Sequence, residues 1–237
     1  MSLDVTPMVK FNFTNEYQRL LLYGPAGGGK TTFIGMWPRP LIVLDFDNKL
    51  KPLHGQDNID VISYDLSKLE DVKKVFKGFL NDIKELKSDD HYKTIAVDGI
   101  TMMDIMCLRY HMALKGKSLE TERPTIDTYG DQANFYAHFF RYYLNGLKDK
   151  NLIVTAHEHF VEDKDMSTFQ ISPSITGSKF PPKLPAMFEE VWHISRINDK
   201  TTLRYKPSKK YLANTLFMHG SGVMEDPTYE SIMKAGE

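Results

Sequence analysis

The run Gly24-Pro25-Ala26-Gly27-Gly28-Gly29-Lys30-Thr31 satisfies G-x-x-x-x-G-K-[ST], and Thr32 follows it. Glycines at this spacing let successive backbone N–H groups turn inward around a phosphate, and the helix that follows adds partial positive charge at its N-terminus. Lys30 is placed to reach β- and γ-phosphates, and Thr31 to offer its hydroxyl to Mg²⁺. A glycine-rich turn can match such a pattern by chance. Here a short apolar strand leads in and a helix leads out, the context a phosphate loop needs, so Gly24 through Thr32 imply nucleotide binding.

Three other segments could complete that chemistry. Thr94-Ile95-Ala96-Val97-Asp98 is an apolar strand ending in an acid. After a phosphate loop in the same sheet, Asp98 is the expected magnesium-side carboxylate, and a helix-capping Asp is the plain alternative. Leu41–Phe46 leads into Asp45-Phe46-Asp47, where strand alternation puts both acids on one side. Asp47 is the candidate base for water attacking a γ-phosphate, with Asp45 its structural partner. Thr155-Ala156-His157-Glu158-His159 ends another apolar run. A polar side chain there could sense the terminal phosphate; His157 is the first choice and Glu158 the second. His157 and His159 share a face, but a metal site has no evident third ligand.

The elements that must hold these groups alternate along the chain. Apolar runs at Arg19–Tyr23, Leu41–Phe46, Thr94–Asp98 and Leu152–Ala156 are separated by amphipathic stretches, which argues a parallel sheet with helices on its faces. Helices are expected at Lys30–Met36, Ser67–Leu86, from Asp98 through Tyr110, and at Tyr129–Leu147. Val161–Pro185 is polar, proline-rich and without periodicity, and reads as a long loop. Val191–Ile197 and Thr201–Tyr205 around Asn198-Asp199-Lys200 read as a hairpin. Pro227–Glu237 reads as a loosely attached helix. Residues 1–18 are taken as an N-terminal arm and 19–237 as a single domain.

Composition sets outer bounds. The 237 residues carry 30 Lys and Arg against 31 Asp and Glu, so the net charge of −1 offers no bulk attraction to nucleic acid or membrane, and any such binding needs a local patch. One cysteine, Cys107, cannot form an internal disulfide, which fits a reducing cytoplasm. No signal pattern or membrane-length apolar run is evident.

These residues, in this order, resemble the RecA-like core ATPases, and more closely the compact phage-encoded RecA-like NTPases of single-strand annealing and recombination. The likeness runs from Arg19 to Asn214. LIVLDFDNKL is similar to the family's strand ending in a catalytic acid, which places that acid at Asp47; YKTIAVDGIT resembles its second acidic strand. IDTYGDQANFYAHFFRYYLNGL followed by NLIVTAHEH looks like the helix and sensor strand. ISPSITGSKFPPKLPAMFEEVWHISR resembles the loop that faces single-stranded DNA. The larger recombinases carry Glu where this chain has Asp47, so its shorter reach implies slow hydrolysis.

The resemblance implies an α/β, RecA-like P-loop NTPase core with a mainly parallel sheet, helices on both faces and a C-terminal β-hairpin. It implies ATP and Mg²⁺ as cofactors and single-stranded DNA as partner. It further implies a homo-oligomer, ring or short filament, with a single-strand-binding protein as a further candidate partner, in the cytoplasm of an infected bacterium. Lys179, Phe180 and Lys183 are the candidate DNA contacts, lysines on phosphate and Phe180 on bases. Arg196, Lys200, Arg204, Lys206, Lys209 and Lys210 stand against only Asp199 in a basic cluster. By resemblance, Lys209 and Lys210 reach a neighbour's γ-phosphate as arginine fingers do. Two other functions compete: a nucleotide-dependent switch or loader that binds a protein partner, and a small-molecule phosphotransferase. The last is disfavoured because Val161–Pro185 contains no arginine for a lid.

Overall fold

The computed structural model describes residues 17–65, 71–147, 149–163, 168–177 and 180–236. Strand β1 (Arg19–Gly24) runs into the glycine loop and helix α1 (Lys30–Ile34). There follow β2 (Leu41–Asp45), β3 (Ile59–Ser63), α2 (Val72–Leu86), β4 (Thr94–Asp98), α3 (Ile100–Leu114) and α4 (Ile126–His138). The chain closes with β5 (Asn151–Asp163), β6 (Thr168–Pro173), β7 (Glu190–Ile197), β8 (Lys200–Arg204), β9 (Val223–Glu225) and α5 (Tyr229–Ala235).

The sheet has nine strands in the order β3-β2-β4-β5-β1-β7-β8-β9, with β6 paired to β5 off that path. Pairings from β3 through β7 are parallel, and β8 and β9 close the edge antiparallel. The central strands are buried on both faces, which is why they read as unbroken apolar runs. Along β1, Leu21 and Tyr23 enter the core with α2, α3 and α4, while Leu20 and Leu22 enter the one with α1 and α5. The same alternation splits Ile42 and Leu44 from Leu41 and Val43. Parallel register therefore lines up the C-terminal ends: Gly24 faces His157, and Asp45 faces Asp98.

Several sequence expectations change here. The segment read as a loop from Val161 is instead a ribbon, because β5 continues to Asp163 and pairs antiparallel with β6. It leaves Phe160 (66 % exposed) and Phe169 (59 %) in water. Only the Ile171 end of this ribbon packs on a core, so no sustained apolar–polar alternation marks its strands in the sequence. The helix expected to Leu147 is present but changes its winding: α4 is followed without a break by a wider π-helical turn at Phe139–Tyr143 and a 3₁₀ turn at Leu144–Gly146. α5 is not loosely attached. Its Ile232 is fully buried, its Tyr229 ring meets Trp37 edge-on at 5.4 Å, and Thr228 and Ser231 form its capping box. Of the helix expected at Ser67–Leu86, residues 67–70 lie outside the described residues, as does most of the expected arm. The hairpin β7–β8 turns through Asn198 and Asp199 at φ 50° and 63°, the left-handed pair a two-residue turn requires. Among the described residues no helix is long and apolar enough to cross a membrane.

Candidate active site

The phosphate loop leaves β1 at Gly24, where a Cβ would come within 2.0 Å of the Ile194 carbonyl oxygen on β7, so only glycine fits. Gly27 and Gly29 take φ 75° and 94°, which turn the loop's amides toward a common centre. Lys30 opens α1, 7 % exposed, and its Nζ donates to the carbonyls of Gly24 (2.9 Å) and Pro25 (2.8 Å). Burial pulls its pKa below the usual lysine value, while Asp47, Asp98 and Glu158 oppose that shift.

Thr31 Oγ1 donates to Asp98 Oδ2 at 2.8 Å, joining the phosphate loop to the end of β4. Asp98 is almost wholly buried, and its other oxygen accepts from Thr155 Oγ1 at 2.5 Å. Thr155 in turn accepts from the Gly99 amide at 2.8 Å. Burial raises the Asp98 pKa; the two threonine hydroxyls work against it, and the neighbouring Asp47 and Asp45 carboxylates add to it. A hard divalent cation is the ligand chemistry for a carboxylate–hydroxyl pair beside phosphates.

Asp45 and Asp47 divide their tasks. Asp45 is fully buried and accepts from the Asp47 amide (3.1 Å), the Asn48 amide (2.9 Å) and Ser63 Oγ (3.2 Å). It thus folds its own chain over the loop, helped by Asn48 at φ 53°. Asp47 projects into the site. Its Oδ2 lies 3.3 Å from His157 Nε2, and its Oδ1 is buried with no hydrogen-bond partner among the described residues. Burial alone would raise the Asp47 pKa, but the His157 hydrogen bond and charge, with Lys49 and Lys30, bring it below the usual carboxylate value. Gly99, at φ 95°, makes room for this: a Cβ there would sit 2.4 Å from Asp47 Oδ1.

His157 is also tied down through its backbone. Its amide donates to Thr101 Oγ1 (3.0 Å), Thr101 donates to the Ser174 carbonyl (2.7 Å), and the Ser174 amide returns to the His157 carbonyl (2.7 Å). Glu158 meets the buried His193 at 2.8 Å, and His193 lies between the rings of Tyr23 and Tyr211.

The expected residues Gly24 to Thr32, Asp47, Asp98 and His157 thus gather at one edge of the sheet. A cavity of about 250 Å³ lies over them, lined by Ala26 to Thr32, Asp47, His157, Lys49, Pro52 and Arg196. Sequence reasoning missed Lys49, Gly99 and the Thr155 hydroxyl, and had Arg196 only as part of the basic cluster, not at this cavity. Thr155 was within reach, since alternation from His157 puts it on the same face; Lys49 and Arg196 carry no such signal. A larger cavity of about 710 Å³ at the opposite end of the sheet is lined by Lys93, Lys150 and Tyr92 and contains none of these groups.

The other candidates lie apart from the cavity. Lys209 and Lys210 are exposed beyond β8, Lys210 over the Tyr211 ring at 5.4 Å. Lys183 is exposed, and Lys179 lies outside the described residues. Phe180 corrects the expectation that it stacks on bases. It is 6 % exposed, its ring stacked on Tyr136 (5.0 Å) and Phe140 (5.7 Å), because an aromatic between glycine and prolines still has a core to enter.

A family model described as an AAA domain matches residues 16–215, and the chain belongs to that family. No curated protein matches it. The chain is therefore a P-loop ATPase domain with an α/β fold.

Proposed function

We propose that this member of the AAA-domain family is a Mg²⁺-dependent, RecA-like ATPase whose hydrolysis responds to single-stranded DNA. In this reading it is a cytoplasmic homo-oligomer, ring or short filament, serving phage strand annealing or exchange. The observation that carries the hydrolytic part is the Thr31–Asp98 pair at 2.8 Å beside a cavity that the Asp47 carboxylate lines with His157. The glycine cradle, the buried lysine and that carboxylate fit a nucleotide triphosphate and its magnesium.

Backbone amides of Gly27 to Thr31 and the Lys30 ammonium bind the phosphates, and Thr31 with Asp98 hold the metal side. Bound Mg²⁺ would neutralise charge on the β- and γ-phosphate oxygens. The residue after Asp98 is Gly99, so the water-orienting acid comes from the β2 end instead, as the RecA-like resemblance implies. Asp47 would orient water from the cavity wall it shares with His157, whose Nε2 lies 3.3 Å from Oδ2, while Oδ1 is buried against Gly99. A carboxylate held below its ordinary pKa is a weak proton acceptor, so Asp47 orients water more than it deprotonates it, and basal turnover is slow. The Thr101–Ser174 link from His157 leads to the segment before Lys179 and Lys183, a route by which DNA could act on the site. With Phe180 withdrawn, the DNA reading rests on lysines: Lys183, Lys209 and Lys210, with Lys179 still a candidate.

Steady-state ATP hydrolysis by wild type and Lys30→Ala, with and without single-stranded DNA at low and moderate salt, tests this. Stimulation that weakens steeply with salt and vanishes with Lys30 is expected. Hydrolysis indifferent to DNA favours the second reading, a nucleotide switch that binds a protein partner. That reading draws on an apolar cavity of about 370 Å³ lined by Ile126 (88 % exposed) and Tyr129 (37 %).

A further inference from the structure

The cavity over the phosphate loop holds three cations from this one chain, and their surroundings differ. Lys30, the phosphate-loop lysine, donates to two carbonyls of its own loop, Gly24 and Pro25. Arg196, from the β7 side, lies 3.3 Å from Asp199. Lys49 lines the same cavity from the β2 side and has neither hydrogen bond nor ion pair among the described residues.

Its position has a local cause. The buried Asp45 carboxylate accepts from the amides of Asp47 and Asn48, and Asn48 turns at φ 53°. This tight turn folds residues 47–49 back over the phosphate loop, so Asp47 and Lys49, two apart, both line the cavity. The charge of Lys49 is felt by Asp47, whose carboxyl it helps to keep ionised, and by Lys30, whose protonation it disfavours. Lys49 thus shares the cavity wall with Asp47 and Lys30 and is paired with neither.

We propose that Lys49 is a cation supplied in cis to the terminal phosphate, giving the site its preference for a triphosphate over a diphosphate and part of its transition-state charge stabilisation. This rests on the nucleotide reading above. It assigns within one chain the task that the exposed Lys209 and Lys210 would perform only from a neighbour. A cation near a γ-phosphate has little to touch in a diphosphate, so its effect separates the two ligands. A lost charge-assisted contact corresponds to about tenfold in affinity, and a lost transition-state donor to about 100-fold in rate.

The test is equilibrium binding of ADP and of a non-hydrolysable ATP analogue, each with Mg²⁺, to wild type, Lys49→Met and Lys49→Arg, with kcat for ATP alongside. Lys49→Met should leave ADP affinity within about twofold, weaken the analogue about tenfold and lower kcat about 100-fold; Lys49→Arg should recover most of the analogue affinity. Equal weakening of both ligands would mean that Lys49 contributes only a general surface potential, and no change in either would mean that it does not reach the phosphates; each overturns the proposal alone. A wild-type chain that binds neither nucleotide overturns the underlying nucleotide reading and this proposal with it.

Discussion

Asp47 and Asp104 are both carboxylates removed from water, and the chain treats them in opposite ways. Asp104, fully buried on α3, receives Gln132 Nε2 at 2.8 Å, Tyr136 Oη at 2.7 Å and the Thr176 amide at 2.6 Å. It knots α3, α4 and the segment after β6 together. Asp47, at the mouth of the sheet, has Oδ2 on His157 and Oδ1 buried with no hydrogen-bond partner among the described residues. Buried polar groups are normally satisfied, and a fully satisfied network specifies the fold around it. A carboxylate that lines the cavity over a phosphate loop with its hydrogen-bonding capacity incompletely used is instead positioned for something the protein must bind. The contrast separates a structural acid from a functional one where composition and burial alone would not.

Breaking the knot should have the largest effect on the fold. Asp104→Ala strands two donors, the Tyr136 hydroxyl and the Thr176 amide, while Gln132 Nε2 keeps the Asp104 carbonyl; it should cost about 3 kcal/mol in stability, read by urea denaturation, and a loss under about 1 kcal/mol would mean that water or rearrangement satisfies those donors. At the mouth, Gly99→Ala adds a Cβ 2.4 Å from Asp47 Oδ1 at a φ of 95°. Hydrolysis should fall about 100-fold, as for a catalytic group displaced by about an ångström, while stability falls only about 1–2 kcal/mol. Unchanged turnover would show that the position of Asp47 does not matter.

The smallest effect is in pH dependence, where the two acids also diverge. Burial raises the Asp104 pKa against its hydrogen bonds, whereas Asp47 is lowered. An acid whose folded pKa exceeds its unfolded one costs stability when ionised, and that cost is relieved as pH falls through the folded value. Wild type should therefore gain Tm relative to Asp104→Asn on going from pH 7 to pH 5. Asp47, whose contribution is present above about pH 4 and lost only as pH falls through its lowered value, should give no such differential against Asp47→Asn over the same range. A matching differential for both variants would erase the distinction.

Much of this arrangement was legible beforehand. Strands buried on both faces read as LLLY, LIVLD, TIAVD and LIVTA, and the parallel order that brings their polar ends together follows from the helices between them. What escaped were features that depend on the third dimension alone. Phe180 could face solvent or core with the same neighbours in sequence, and only the rings of Tyr136 and Phe140 decide it. The β5–β6 ribbon is buried only at its Ile171–Ser172 end, too short a stretch to impose a period. Lys49 is one exposed lysine among many until the turn around Asp45 swings it over the phosphate loop.

The most direct test of the mouth as a hydrolytic site is single-turnover ATP hydrolysis by Asp47→Asn with Mg²⁺, with ATP affinity measured on the same preparation. The place of Asp47 on the cavity wall beside His157 requires that ATP still binds within a few-fold of wild type while hydrolysis slows about 100-fold or more. Hydrolysis at the wild-type rate would contradict the account and send the search for the water-orienting group elsewhere.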